Sequence, residues 1–306
     1  MVRAVPVVLA WALLAAASLS PAFAQQVFED EQRVGAETPE GWAMSFMTAS
    51  TLLTGIGGLP ALAPGRIALA AELATIPRLS DAQRQVGFAG EKAEDLNKSP
   101  LFGRLRAWIG LPAGLVGEVA YTPDIEVNDV RAKRLFALAV GRGFHATPDL
   151  QVSVRGFIQR GRARGDITCP AGLAGNPDPA ENPFGCAARS EDELRLNYVG
   201  ADLGLSWQPE PEGLGVHLGA GVARLSPSVQ VHAPLLGDAL DRSRLYTRRY
   251  VRYFSVGLGS HIQRNVDWQA QVLYVPLEVA RGGASRDNDA YWSLRLLLRW
   301  RPALLN

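Results

Sequence analysis

Few residues of this chain have a type and spacing that could do chemistry. Ser260 precedes His261, the pairing a hydrolytic nucleophile and its base would need. Both lie in a stretch that alternates with period two, so neighbouring side chains point to opposite faces and the two do not meet. Asp124, Glu126 and Asp129 cluster in one segment, with no histidine near them in sequence. Residues 87–92 read GFAGEK, which lacks the spacing of a phosphate-binding loop. If the strands carrying His217 and His261 pair around a loop centred near Asp238, the two rings face each other. No carboxylate or thiol joins them to complete a metal site. The expectation is that the chain is not an enzyme and holds neither a metal nor another cofactor.

Cys169 and Cys186 lie in one stretch rich in proline, glycine and asparagine. Two thiols with no third cysteine or nearby histidine do not make a zinc site. In an exported chain they are expected to form a disulfide, and closing a loop of that length stabilises it by roughly 3 kcal/mol in the chain-entropy model.

Export follows from the first residues. Arg3 supplies a positive start, Val7 to Leu19 is apolar, and Ala22-Phe23-Ala24 is a small-x-small cleavage site. Residues 1–24 therefore read as a signal peptide. The formal net charge is only +1, which implies neither nucleic acid nor another strongly charged partner. Beyond the signal, no long apolar run suggests a spanning helix. The uncharged stretch from Gly41 to Gly65 is broken by Gly55, Gly57, Gly58, Pro60 and Pro64, which limit any helix to its first half.

The strongest signal is alternation. Trp292-Leu294-Leu296-Leu298-Trp300 interleaves with Ser293-Arg295-Leu297-Arg299, and Val152-Val154-Gly156-Ile158 with Gln151-Ser153-Arg155-Phe157-Gln159. Tryptophans at both ends of one apolar face match the two interfacial belts of a membrane barrel. Ten strands are predicted, at 66–76, 101–111, 114–122, 132–143, 150–161, 194–207, 214–224, 248–263, 267–278 and 290–301. Twelve would need a hidden hairpin. Short connections alternate with long ones at 77–100, 123–131, 162–193, 225–247 and 279–289, as periplasmic turns alternate with outer loops.

With these strands, the export signal and the aromatic last strand Tyr291 to Trp300, the chain resembles Gram-negative outer-membrane β-barrels as a class, over residues 66–301. The resemblance implies an all-β fold, a transmembrane antiparallel up-and-down barrel spanning 64–306. It also implies a place in the bacterial outer membrane, with its lipids and the barrel assembly machinery as partners. Such proteins usually end on an aromatic residue, whereas here six residues follow Trp300.

Residues 25–63 precede the barrel and are expected to form a periplasmic or plug segment. Thr38-Pro39-Glu40 reads as an N-cap, a first-position proline and a first-turn acid. A helix carrying Trp42, Phe46, Met47 and Leu53 would end near Gly55, at the barrel mouth or inside it. Ser80 and Gln83 form a capping box in the first long connection.

Strand parity points Glu72, Arg104, Arg106, Arg295 and Arg299 inward. Barrel closure places Glu72 between the arginine-bearing strands. This is either an internal salt-bridge network or a positive wall that attracts anions. Gly200, Gly204, Gly219, Gly221, Gly257 and Gly259 also point inward, on adjacent strands. They mark either sharp curvature or room for an occupant, a ligand or the segment 42–58. The functional expectation is a channel or substrate-specific passive transporter for an unknown small molecule, plugged by the N-terminal segment. The alternative is a non-transporting structural or surface-binding barrel with a filled lumen. Paired lumen charges would favour the latter.

Overall fold

The computed structural model describes residues 26–210, 213–282 and 286–302; the expected export signal lies outside them. Ten strands close into one antiparallel barrel: β1 (Ile67–Thr75), β2 (Leu101–Gly110), β3 (Leu115–Thr122), β4 (Val130–Thr147), β5 (Leu150–Gly165), β6 (Tyr198–Trp207), β7 (Gly215–Leu225), β8 (Arg249–Gln263), β9 (Val266–Val275) and β10 (Tyr291–Trp300). Each pairs with the next in sequence, and β10 closes on β1, from Arg295 opposite Ala74 to Trp300 opposite Leu69. Closure satisfies every edge, which a sheet in hydrocarbon requires.

Ten is the number expected from alternation. The fourth and fifth strands run further than their pattern suggested, with β4 reaching Thr147, so the connection predicted at 144–149 is a tight turn. Along β10 burial switches at every residue: Tyr291, Ser293, Arg295, Leu297 and Arg299 are buried, while Trp292, Leu294, Leu296, Leu298 and Trp300 are exposed. Leu138, Val154, Leu203, Val222, Val256 and Leu258 continue the exposed apolar band on other strands. In water such a surface would be prohibitive, whereas against lipid it is the stable one.

The N-terminal segment fills the middle of the barrel. Helix α1 (Pro39–Ser50) sits within the outer half, its N-cap Thr38 accepting from the Gly41 amide. Trp42, Phe46, Leu52 and Leu53 are at most 2% exposed and join Phe157, Tyr198, Tyr253 and Tyr291 in one apolar core. The helix is buried nearly all round because the barrel wall surrounds it, and its Ser45 and Thr48 hydroxyls bond back to the helix's own carbonyls. The chain then descends to the periplasmic end, where the Gly65 amide donates to Gly110 O.

The long connections build a cap over the outer end. Short strands at Asp192–Arg195, Ser228–Gln230, Arg244–Tyr246 and Glu31–Arg33 extend the sheet in that order from β5. The disulfide between Cys169 and Cys186 is present, with Cα atoms 5.6 Å apart. Both cysteines belong to the loop after β5, and the bond is fully buried against Val231 and Ala233, where that loop packs on the loop after β7. The capping box at Ser80 and Gln83 is also formed.

Candidate functional site

The interior site begins where α1 ends. The last carbonyls of a helix have no intrahelical donors and carry its partial negative end. The Thr51 and Leu52 amides satisfy Thr48 O and Ala49 O, and arginines take over from Ser50 O onward, along the segment that follows the helix. Arg104 donates to Thr51 O (3.0 Å) and Leu52 O (2.9 Å), Arg106 to Thr54 O (3.0 Å), and Arg155 to Leu53 O (2.8 Å). Arg295 donates to Leu52 O and, at 3.4 Å, to Ser50 O. The Tyr198 hydroxyl accepts from the Leu53 amide at 2.8 Å. Five consecutive carbonyls, Ser50 to Thr54, are thus held by side chains of the barrel wall.

The same guanidinium groups are neutralised in a chain that crosses the lumen. Glu72 receives Arg104 through two hydrogen bonds and Arg106 at 2.8 Å, with Arg295 at 3.5 Å. Glu118 bridges Arg106 and Arg155. Asp202 receives Arg155 at 2.7 Å and the Tyr253 hydroxyl at 2.8 Å. All of these side chains are at most 8% exposed. Four arginines face three carboxylates, and the excess positive charge lies against the helix's negative end. In a low-dielectric interior such charges persist only when partnered, and among these guanidinium nitrogens Arg295 Nε is the one buried atom without a hydrogen bond among the described residues.

Arg299 lies apart from this group. It pairs with Asp267 at 3.1 Å near the periplasmic end, where Arg301 reaches both Asp267 (3.1 Å) and His261 (2.7 Å). These groups, with Gly57, His145 and His217, line a recess of about 370 Å³. His217 is not opposite His261. The β7–β8 ladder begins at Leu225–Arg249 and so pairs His217 with Gly257, leaving His261 four residues further along β8. Among the described residues, no group of three histidine, cysteine or acidic side chains could hold a metal ion.

The six glycines face inward, and larger neighbours lean over several of them. A Cβ on Gly200 would lie 2.5 Å from the Phe157 ring, on Gly221 2.4 Å from Tyr253, and on Gly259 1.8 Å from Gln269. Small residues on one strand accommodate large ones on the next, as the taper of a small barrel demands. Gly58 has the stricter requirement. Its φ of +70° suits glycine, and a Cβ there would meet Ser206 Oγ at 2.3 Å.

Glu118, Arg155, Asp202 and Tyr253 were not singled out from the sequence. Their signal was strand parity, since each sits at an inward position of its strand, and Arg155 lies on the polar face of the alternation that defined its strand. A second recess, about 440 Å³ and mostly apolar, opens where β2–β3 pairing stops at Leu105–Tyr121. Pro123, two residues on, cannot donate to the ladder. The recess reaches from Met47, Thr51 and Arg104 inside to Leu101, Leu105 and Ile125 on the lipid side.

A closed barrel with an apolar outer band, aromatic rims and long loops gathered at one end is a Gram-negative outer-membrane β-barrel protein. No protein-family profile and no curated protein matches the chain. Among solved structures it is similar to the translocator domain of the autotransporter NalP from Neisseria meningitidis, at 11% identity over 87% of this chain and 99% of that one, with a TM-score of 0.44. It is also similar to Neisserial surface protein A (12% identity, 77% and 96% covered, TM-score 0.31) and to the outer membrane protease OmpT from Escherichia coli (9%, 78% and 94%, 0.32).

Proposed function

We propose that this protein is a non-conducting outer-membrane barrel that carries a braced loop platform on its outer side and is sealed by its own N-terminal segment. The observation that supports this most directly is the grip of four wall arginines on the carbonyls of Ser50 to Thr54, with every arginine also paired to a buried carboxylate. Opening the lumen would strand those charges in a low-dielectric interior. The disulfide and the short outer strands make the cap a defined surface suited to binding. The partners this reading calls for are outer-membrane lipids, the barrel assembly machinery and a ligand of the cap. The test is planar-bilayer recording of the intact protein beside a variant lacking residues 38–58. The intact protein should be silent. Stable conductance steps from it would overturn the reading.

The apolar recess between β2 and β3 favours a second reading, passive transport of an apolar small molecule sideways from lumen to lipid. An apolar fluorophore such as N-phenyl-1-naphthylamine should then bind the intact protein and bind Phe102→Glu weakly. Equal binding by the two would remove this reading.

A further inference from the structure

The geometry points to a binding site for phosphate-bearing lipid headgroups on the outer rim of the lipid-facing surface, formed by Arg160 on β5, Arg224 on β7 and Arg252 on β8. All three side chains are exposed and lie on the outward parity of their strands.

The register places them at one height. Ladder partners run from Trp292, near the outer end of β10, through Tyr274, Phe254, Ala220, Leu203 and Val154 to Arg142, near the periplasmic end of β4. Rows of partners therefore climb toward the outside from β4 to β10. With strands about 4.8 Å apart and tilted by roughly 40°, the climb is about 3 Å per strand. Arg160 lies in the row of Phe136, Arg224 in the row of Val199, and Arg252 in the row of Val222. Each row begins lower on β4 than the one before and is followed further round the barrel. The two shifts nearly cancel, which brings the three guanidinium groups level with one another and with Trp292. The outer belt is thus aromatic across β9 and β10 and carries arginine on β5, β7 and β8.

Among the described residues those cations have no protein partners. None of the three makes an ion pair or side-chain hydrogen bond among the described residues, whereas Arg162 and Arg164 just above share Glu193. The outward faces of β6, β7 and β8 carry no Asp or Glu. Arg224 lies opposite Tyr250, so Arg252 is its diagonal neighbour on the same face, an arrangement that repels unless an anion lies between. Lipid surrounds this height, and a guanidinium matches a phosphate with two parallel hydrogen bonds. Snorkelling toward water would accommodate one long cation but gives no reason for three at one level without carboxylates.

The test uses the full-length protein in detergent, titrated with a bis-phosphorylated glucosamine glycolipid and with its dephosphorylated counterpart, and read by native mass spectrometry. The intact protein should retain the phosphorylated lipid at least tenfold more tightly. The triple variant Arg160→Gln, Arg224→Gln, Arg252→Gln should lose that preference, and the corresponding triple lysine variant should keep most of it. The three positions are exposed, so unchanged heat-modifiability on gels should show that both variants fold; should the glutamine triple not fold, Arg224→Gln alone should lose at least threefold. Equal affinity of the intact protein for both lipids would overturn the proposal, as would undiminished binding by the glutamine variant. Displacement of the lipid by inorganic pyrophosphate would identify a free-anion site and overturn the lipid assignment.

Discussion

Arg104 and Glu72 face each other across β1 and β2 as a two-point pair, Nε to Oε2 at 3.0 Å and Nη2 to Oε1 at 2.8 Å, with both side chains shut off from water. Arg104 also holds two carbonyls of the lumen segment, so the pair couples the wall to what fills it. Glu72→Gln leaves Arg104, Arg106 and Arg295 sharing no full negative charge at this position. The cost should be about 3–5 kcal/mol, read as a lower urea midpoint for the refolded barrel. Adding Arg104→Met should recover part of that loss, and strictly additive effects would show that the two do not act as a unit.

Lipid-facing positions should be sensitive to depth. Leu296→Arg lies mid-strand on the apolar face and should cost about 2–4 kcal/mol in bilayers, whereas Trp300→Arg at the rim should cost about 0–1 kcal/mol. Refolding titrations into vesicles give both values. Equal costs would contradict the placement of the membrane midplane near Leu296.

The outer cap should respond to pH through Glu94. Burial raises its carboxyl from an ordinary 4.5 to about 7, assisted by Asp192 and Asp241 and opposed by Lys92 at 3.0 Å. The folded cap keeps this proton to near pH 7, while the unfolded chain releases it near 4.5. Cap stability should therefore be greatest below pH 4.5, fall as pH rises to 7, and level off above. Hydrogen exchange of residues 85–96, corrected for intrinsic rates, should show that slope, and Glu94→Gln should abolish it.

The disulfide should matter to the cap rather than the barrel. Cys169 and Cys186 are bonded to each other, so alkylation of the non-reduced, unfolded protein should label neither. After reduction, protease should cut within 162–193 while strands β1 to β10 stay protected. Labelling of both thiols before reduction would contradict the bond.

Alternation made most of the barrel legible, because lipid on one side and a packed lumen on the other impose period two on every strand. Thr38-Pro39 marked the helix start for an equally local reason. Inward parity for Glu72 and the arginines was readable, but the partners that complete the network, Glu118, Arg155 and Asp202, depend on the register between strands, which sets Arg155 opposite Asp202 and Glu118 diagonal to Arg106. That is a long-range fact without a local pattern. The pairing of His217 and His261 failed because the 226–248 connection contains its own short strands, which set where the β7–β8 ladder begins. The short strands at Gln26–Phe28 and Glu31–Arg33 are wholly exposed and carry no alternating apolar residues, so nothing in their composition announced them.

Those two short strands join the outer cap in parallel, beside Ala239–Asp241 and Arg244–Tyr246, while Gly65 is tied to Gly110 at the opposite end. The polypeptide between them therefore runs the full height of a ring that its own later residues close. Threading a finished ring is rare for a chain. Closing the seam between β1 and β10 last, around a stretch of chain already lying in place, is the order of assembly that avoids such threading. Residue 26 then emerges on the cell's exterior face without ever having crossed a completed wall.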